Sequence, residues 1–137
     1  MRCFDVMVEL RPHLDRDTFL ARVGRQRARA GYQIAFVETE VMIRSVAGFR
    51  MSEALAWGRY LYVDDLVTRQ ADHGKGYGSV LIEWLIGYAR ANSCDSFHLD
   101  SGVQRVDAHR FYLSRGMKIS SHHFSMALKS LKSSTPA

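Results

Sequence analysis

Gly74, Gly76 and Gly78 put three glycines into five residues, between a run that reads as a strand and a run that repeats like a helix. Upstream, Tyr60–Val67 has the β-rich character of a strand. Downstream, Val80, Leu81, Trp84, Leu85 and Tyr88 recur at helical spacing to about Asn92. Glycines in such a turn let the backbone approach a ligand closely and adopt positive φ. The free N–H groups at the start of the following helix point toward the same loop, and the helix dipole there favours an anion. A pyrophosphate is the natural guest; a tight strand-to-helix turn that binds nothing is the bland reading. Spacing trims the alternatives. A G-x-G-x-x-G fingerprint would need its third glycine where Ser79 stands. A phosphate loop ending in G-K-(S/T) would need Ser or Thr where Gly76 follows Lys75. Hydride transfer and nucleotide hydrolysis both lose support.

The rest of the chain is read around that turn. Phe4, Val6, Val8 and Leu10 alternate, so Cys3–Leu10 is expected to be a strand ended by Pro12. Asp15 is a plausible N-cap for a helix over Arg16–Ala30, with Phe19, Leu20, Val23 and Ala30 on its apolar side and Gly31 at its end. Tyr32–Val37 and Val41–Phe49 form an expected hairpin across Glu38-Thr39-Glu40, and Met51–Leu55 is ambiguous. After the glycine turn and its helix come a short strand, Phe97–Asp100, and a second helix, Asp107–Arg115, closed by Gly116. Last comes an expected strand over Lys118–Leu128, where Phe124, Met126 and Leu128 alternate. A hairpin run followed by βαβ units predicts an α/β (mixed α+β) protein with a mixed sheet and helices on its faces.

At 137 residues, a single domain over 1–137 is expected, with 130–137 as a frayed tail. No apolar run could span a bilayer, and Asp5 spoils the N-terminus as a signal peptide, so no membrane partner and a cytoplasmic location are expected. Cys3 and Cys94 fit neither a disulfide framework nor a zinc spacing. The net charge of +5 favours anionic partners. Much of it comes from Arg16, Arg22, Arg25, Arg27 and Arg29 on one predicted helix, the pattern of a solvated face. No aromatic residues interleave with them, which argues against nucleic acid.

Two motifs then carry a specific resemblance. Tyr62-Val63-Asp64-Asp65-Leu66-Val67-Thr68, followed by His73-Gly74-Lys75-Gly76-Tyr77-Gly78, resembles the acyl-CoA-binding motif of the GNAT superfamily of N-acyltransferases, (Q/R)-x-x-G-x-(G/A) after a central strand. Ala108-His109-Arg110-Phe111-Tyr112-Leu113-Ser114-Arg115-Gly116-Met117 is similar to the second signature of that family, and a helix and a strand separate the two, as they do there. The resemblance covers essentially the whole chain. It implies a central, mostly antiparallel mixed sheet of six to seven strands flanked by helices. The implied activity is transfer of an acetyl group from acetyl-CoA, as cosubstrate, to a primary amine by direct attack in a ternary complex.

The same resemblance assigns roles. The backbone of Leu66, Val67 and Thr68 would pair with the pantetheine arm. His73, Gly74, Lys75, Gly76, Tyr77 and Gly78 would hold the pyrophosphate, and Tyr112 would protonate the departing thiolate. A phenol is a reasonable donor to a thiolate if it lies within hydrogen-bond reach. Asp64 and Asp65, late in the strand, are the candidates for the amine's base or for binding a cationic acceptor; neighbours on a strand face opposite sides, so at most one should serve. Asp100 and Ser101 could line the same cleft. There are two departures. His73 replaces the usual Gln or Arg, with Lys75 able to supply the missing charge. Arg105 stands where many relatives have an Asn on the cofactor, and could contact CoA or an anionic substrate. His109, His122 and His123 are weaker candidates, and no metal site is expected because ligand spacing is lacking. The competing reading is a CoA-binding module without catalysis, a sensor or interaction partner; a nucleic-acid binder ranks last. A homodimer through sheet edges or the C-terminal strand is compatible with the pattern.

Overall fold

The computed structural model describes residues 3–100 and 106–129, the side chains of Val106 and Asp107 excepted. The chain divides into two compact units, Met1–Leu99 and Asp100–Ala137.

The first unit opens with a helix, α1 (Phe4–Leu10), where alternation predicted a strand. Cys3, Val6 and Met7 are all buried. They stand three and four residues apart, the spacing of one helix face. Met7, off the alternating set, is the residue that decides between the periods, because a strand would have turned it to solvent. Helix α2 (Arg16–Ala30) follows the predicted limits. The Thr18 amide donates to the Asp15 carboxylate over 2.7 Å, and Gly31 closes the helix at φ 67°. Phe19 and Val23 are buried, while Arg22, Arg25, Arg27 and Arg29 are exposed, as the solvated-face reading requires.

Strands β1 (Gln33–Thr39), β2 (Met42–Ala54) and β3 (Gly58–Thr68) form an antiparallel meander. The first turn falls on Glu40 and Val41, both at positive φ, one and two residues beyond Thr39, the centre of the expected turn. The ambiguous Met51–Leu55 stretch is mostly the end of β2. After a single 3-10 turn (Gln70–Asp72), helix α3 (Tyr77–Ala91) crosses to β4 (Ser96–Leu99), which lies parallel to β3. The sheet order is β1-β2-β3-β4.

Two apolar clusters sandwich this sheet. Val6, Met7, Phe19 and Val23 meet Tyr32, Ile43 and Val46 on one face. Leu81, Leu85 and Ala89 of α3 meet Ala47, Phe49, Leu61 and Val63 on the other. The second unit contains α4 (Val106–Ser114), with Gly116 just beyond it at φ 85°. The expected strand Lys118–Leu128 does not form: the segment is irregular, and Phe124 and Leu128 are more than 90% exposed. A mixed sheet with helices on its faces is therefore present. Among the described residues it has four strands rather than six to seven, because both terminal segments expected as strands are something else.

Candidate active site

The sheet opens midway along β3, before the strand-to-helix turn begins. Strand β4 pairs with β3 only from Tyr60↔Ser96 to Val63↔Leu99. Beyond Val63, the stretch Asp64–Thr68 has a strand partner on the β2 side alone among the described residues. A bulge sits at the same point: Phe49 faces Val63 and Gly48 faces Asp65, so Asp64 is the extra residue of β3. Leu66, Val67 and Thr68 thus lie along an edge that an extended ligand could pair with, the place the sequence assigned to the pantetheine arm.

The bulge changes the expectation for the two aspartates. Strict alternation would send Asp64 and Asp65 to opposite faces; with an inserted residue, that alternation is interrupted. Asp65 is held on both oxygens. Arg11 Nε donates to Oδ1 over 2.9 Å and the Tyr32 hydroxyl donates to Oδ2 over 2.7 Å. Burial, with the charge of Asp65 close by, pushes the Tyr32 phenol well above its usual range, so it stays a donor. Asp64 pairs with Arg50 Nε over 3.0 Å. Burial pushes the Asp64 carboxyl up, and the Arg50 hydrogen bond only partly counters it. Arg50 in turn lies 5.0 Å over the Tyr62 ring. None of Arg11, Tyr32 and Arg50 was named from the sequence; each lies 14 to 54 positions from its carboxylate, and no local pattern announces such a pairing.

At the turn itself, Gly74 and Gly76 have φ of 82° and 87°. A Cβ at either position would meet nothing within 4 Å, so both face open space. Gly76 is the N-cap of α3, which carries no acidic residue in its first turn. Gly78 is different: a Cβ there would come within 3.2 Å of Thr68 Oγ1, so its small size lets α3 sit close to the end of β3. The His73 imidazole turns back onto β3, its Nε2 lying 2.8 Å from the Thr68 carbonyl. A carbonyl can only accept, so Nε2 carries the proton. Lys75 Nζ, Arg69 and Arg44 gather around the buried Asp72 carboxylate beside the turn. Open glycines at positive φ and an uncapped helix start suit a diphosphate.

The family model for the acetyltransferase (GNAT) family matches residues 2–117. The chain belongs to the GNAT acetyltransferase family. It is 34% identical over 122 residues, covering 88% of this chain and 86% of the other, to a protein described as the uncharacterized N-acetyltransferase YhdJ of Bacillus subtilis (strain 168). Glucosamine-6-phosphate N-acetyltransferase from Arabidopsis thaliana shares the fold at TM-score 0.74 and 20% identity, over 93% of this chain and 90% of that one. So does the aminoglycoside N-acetyltransferase AAC(6′)-Iy in complex with CoA, at TM-score 0.76 and 11% identity over 90% of this chain and 84% of that one. GNAT proteins use acetyl-CoA as cosubstrate, and the open edge of β3 with its glycine turn fits that group.

The second signature lies in the second unit. Tyr112 is half-buried on α4, and its ring meets that of Phe111 at 5.6 Å in a tilted, near edge-on arrangement. The amides of Arg115 and Met117 both donate to the Tyr112 carbonyl, which ends the helix against Gly116. His109 is also half-buried on α4. His123 Nδ1 lies 3.2 Å from Asp100 Oδ2, and both side chains are mostly exposed. Ser101 and Arg105 lie outside the described residues. No described helix is long and apolar enough to cross a membrane.

Proposed function

We propose that this GNAT protein transfers the acetyl group of acetyl-CoA to a primary amine of a small molecule or a protein, by direct attack of the amine on the thioester while both substrates are bound. The observation that carries the reading is the end of β3–β4 pairing at Val63↔Leu99, which leaves Asp64–Thr68 without β4 beside it, in a strand that runs on through a glycine turn into α3. Backbone groups of Leu66, Val67 and Thr68 bind the thioester arm along the open edge. The amides of Gly74 to Gly78, together with Lys75, bind the phosphates, and His73 holds the strand end they depend on. Backbone N–H groups on the open edge of β3 also polarise the thioester carbonyl.

Two protons must move as the C–N bond forms and the C–S bond breaks. Of the two aspartates, Asp64 is assigned to the amine side. Asp65 is occupied by Arg11 and Tyr32, whereas Asp64 has Arg50 as its ion-pair partner among the described residues and a basicity raised by burial. It removes the proton from the amine, directly or through water, or holds a cationic acceptor. Tyr112 protonates the departing sulfur.

Thiol release from acetyl-CoA against a panel of amines tests the whole reading. Tyr112→Phe is expected to lower kcat about 10²-fold while leaving CoA affinity unchanged. Burial favours the neutral acid form of Asp64, so the base is lost at a higher pH than for a free aspartate. Its acid limb in kcat/KM should therefore lie above the usual carboxylate range and disappear in Asp64→Asn. A profile in Asp64→Asn that matches the wild type would remove Asp64 from the mechanism. Cosubstrate binding without thiol release on any amine would favour the non-catalytic CoA-binding module instead.

A further inference from the structure

Asp72 is only 1% exposed, yet it is a carboxylate in a surface turn with three cations around it. Arg44 Nη1 reaches Oδ1 at 3.1 Å, Arg69 Nε reaches Oδ2 at 2.9 Å, and Lys75 Nζ reaches Oδ1 at 3.3 Å. Burial alone would push the carboxyl up, but these hydrogen bonds and the charges of Arg44 and Arg69 hold it below its usual range, so it stays ionised.

Arg44 belongs to β2, not to the turn. Its side chain is 12% exposed. Its Nε also donates to Thr39 Oγ1 over 3.0 Å, and its guanidinium lies 5.7 Å over the ring of Tyr77, the first residue of α3. Its main-chain carbonyl accepts from the Arg69 amide at 2.9 Å. The turn folds around the same carboxylate residue: the Asp72 amide donates to the Arg69 carbonyl at 2.8 Å, and the Lys75 amide donates to the Asp72 carbonyl at 3.3 Å. One ion pair therefore ties together β2, the turn and the start of α3.

The turn needs such a tie. Gly74 and Gly76 have no neighbours that packing could press against, and glycine is the residue with the most backbone freedom to lose. The start of the turn has other holds, since the Gln70 amide donates to Glu9 Oε1 over 2.7 Å and the His73 ring lies on the Thr68 carbonyl; past His73, a turn without the Asp72 tie would have to be ordered by the ligand, and ordering costs affinity.

We propose that Asp72 and Arg44 are positioning residues that hold the glycine turn in its phosphate-accepting shape before acetyl-CoA arrives, with Asp72 aiming the Lys75 ammonium along the turn. The inference rests on the proposed reading of the turn as the phosphate site. Its signature is selective. Losing the tie weakens the phosphate-bearing half of the cosubstrate and leaves the thioester chemistry alone.

The experiment compares acetyl-CoA with S-acetylpantetheine, which carries the thioester arm without phosphates. Asp72→Asn is expected to raise KM for acetyl-CoA about tenfold, with kcat within about twofold of wild type and kcat/KM for S-acetylpantetheine unchanged. Equal losses on both substrates would reduce Asp72 to a structural role and overturn the proposal; so would an unchanged KM. If Asp72→Asn fails to fold, the charge-neutral pair Arg44→Met with Asp72→Asn carries the test, because it leaves no buried charge unpaired between the two. The same split supports the proposal, and wild-type discrimination in the double variant overturns it. The melting temperature of the wild type with acetyl-CoA is measured alongside. No rise there would overturn the phosphate-site reading together with this inference. A rise there with no substrate split in the variants would overturn the positioning role alone.

Discussion

Gly76→Trp is expected to abolish the rise in melting temperature that saturating acetyl-CoA confers on the wild-type chain. A ligand at a hundred times its Kd stabilises the native state by about 2.7 kcal/mol, worth roughly 10 °C in a chain of this size. Gly76 stands at φ 87° at the N-cap of α3, with open space where its side chain would be. An indole there meets no protein atom as it leaves the backbone, but it fills the volume that the proposed function gives to the phosphates. The left-handed conformation also costs an L-residue about 1–2 kcal/mol, so the unliganded variant melts earlier. The quantity to compare is therefore the shift on adding acetyl-CoA, by thermal denaturation of both proteins. A full shift retained in Gly76→Trp would move the phosphate site away from this turn.

Gly48→Ala should produce the largest loss of stability among single-methyl additions to the sheet. A Cβ on Gly48 would fall on the Tyr32 phenol. Tyr32 is itself buried, and its hydroxyl is committed to Asp65, which Arg11 holds from the other side. The ring cannot slide without breaking that hydrogen bond, and the backbone cannot move without disturbing the bulge that displaces Asp64. Overpacking of this kind costs about 3 kcal/mol, or roughly 10 °C in melting temperature. Pairing Gly48→Ala with Tyr32→Ala should give less than the sum of the two single losses, the sign of a direct clash. A loss under about 1 kcal/mol in Gly48→Ala would show that the ring and strand have room to adjust.

The two glycines show how unevenly the site could be read in advance. The conformation of Gly76 was legible because its causes are local: a positive φ, a following helix, and neighbours within the same motif. Gly48 carried no signal, since what makes it necessary is a tyrosine sixteen positions away that folding brings onto it. The helices followed the same division. Asp15 and Gly31 mark α2 to the residue, because caps act on amides and carbonyls one turn away. Cys3–Leu10 satisfied two periods at once, and only packing against β2 and β3 chose the helical one. In Lys118–Leu128, alternation shows that a segment could line one face of a sheet; it does not supply the neighbouring strand, and among the described residues none pairs with it.

Short-range physics thus lies open in this sequence: the strand, glycine turn and helix that run from β3 into α3, and the mixed α/β class, while the two motifs carry the GNAT resemblance. The tertiary structure alone decided where β3 parts from β4, that the bulge sets Asp64 apart from Asp65, and that Arg11 and Arg44 each meet a carboxylate 54 and 28 positions away. Those pairings depend on which strands become neighbours. A charge written in a sequence does not name its partner; burial does, because a carboxylate taken out of water is tolerated only where the fold brings a cation to meet it.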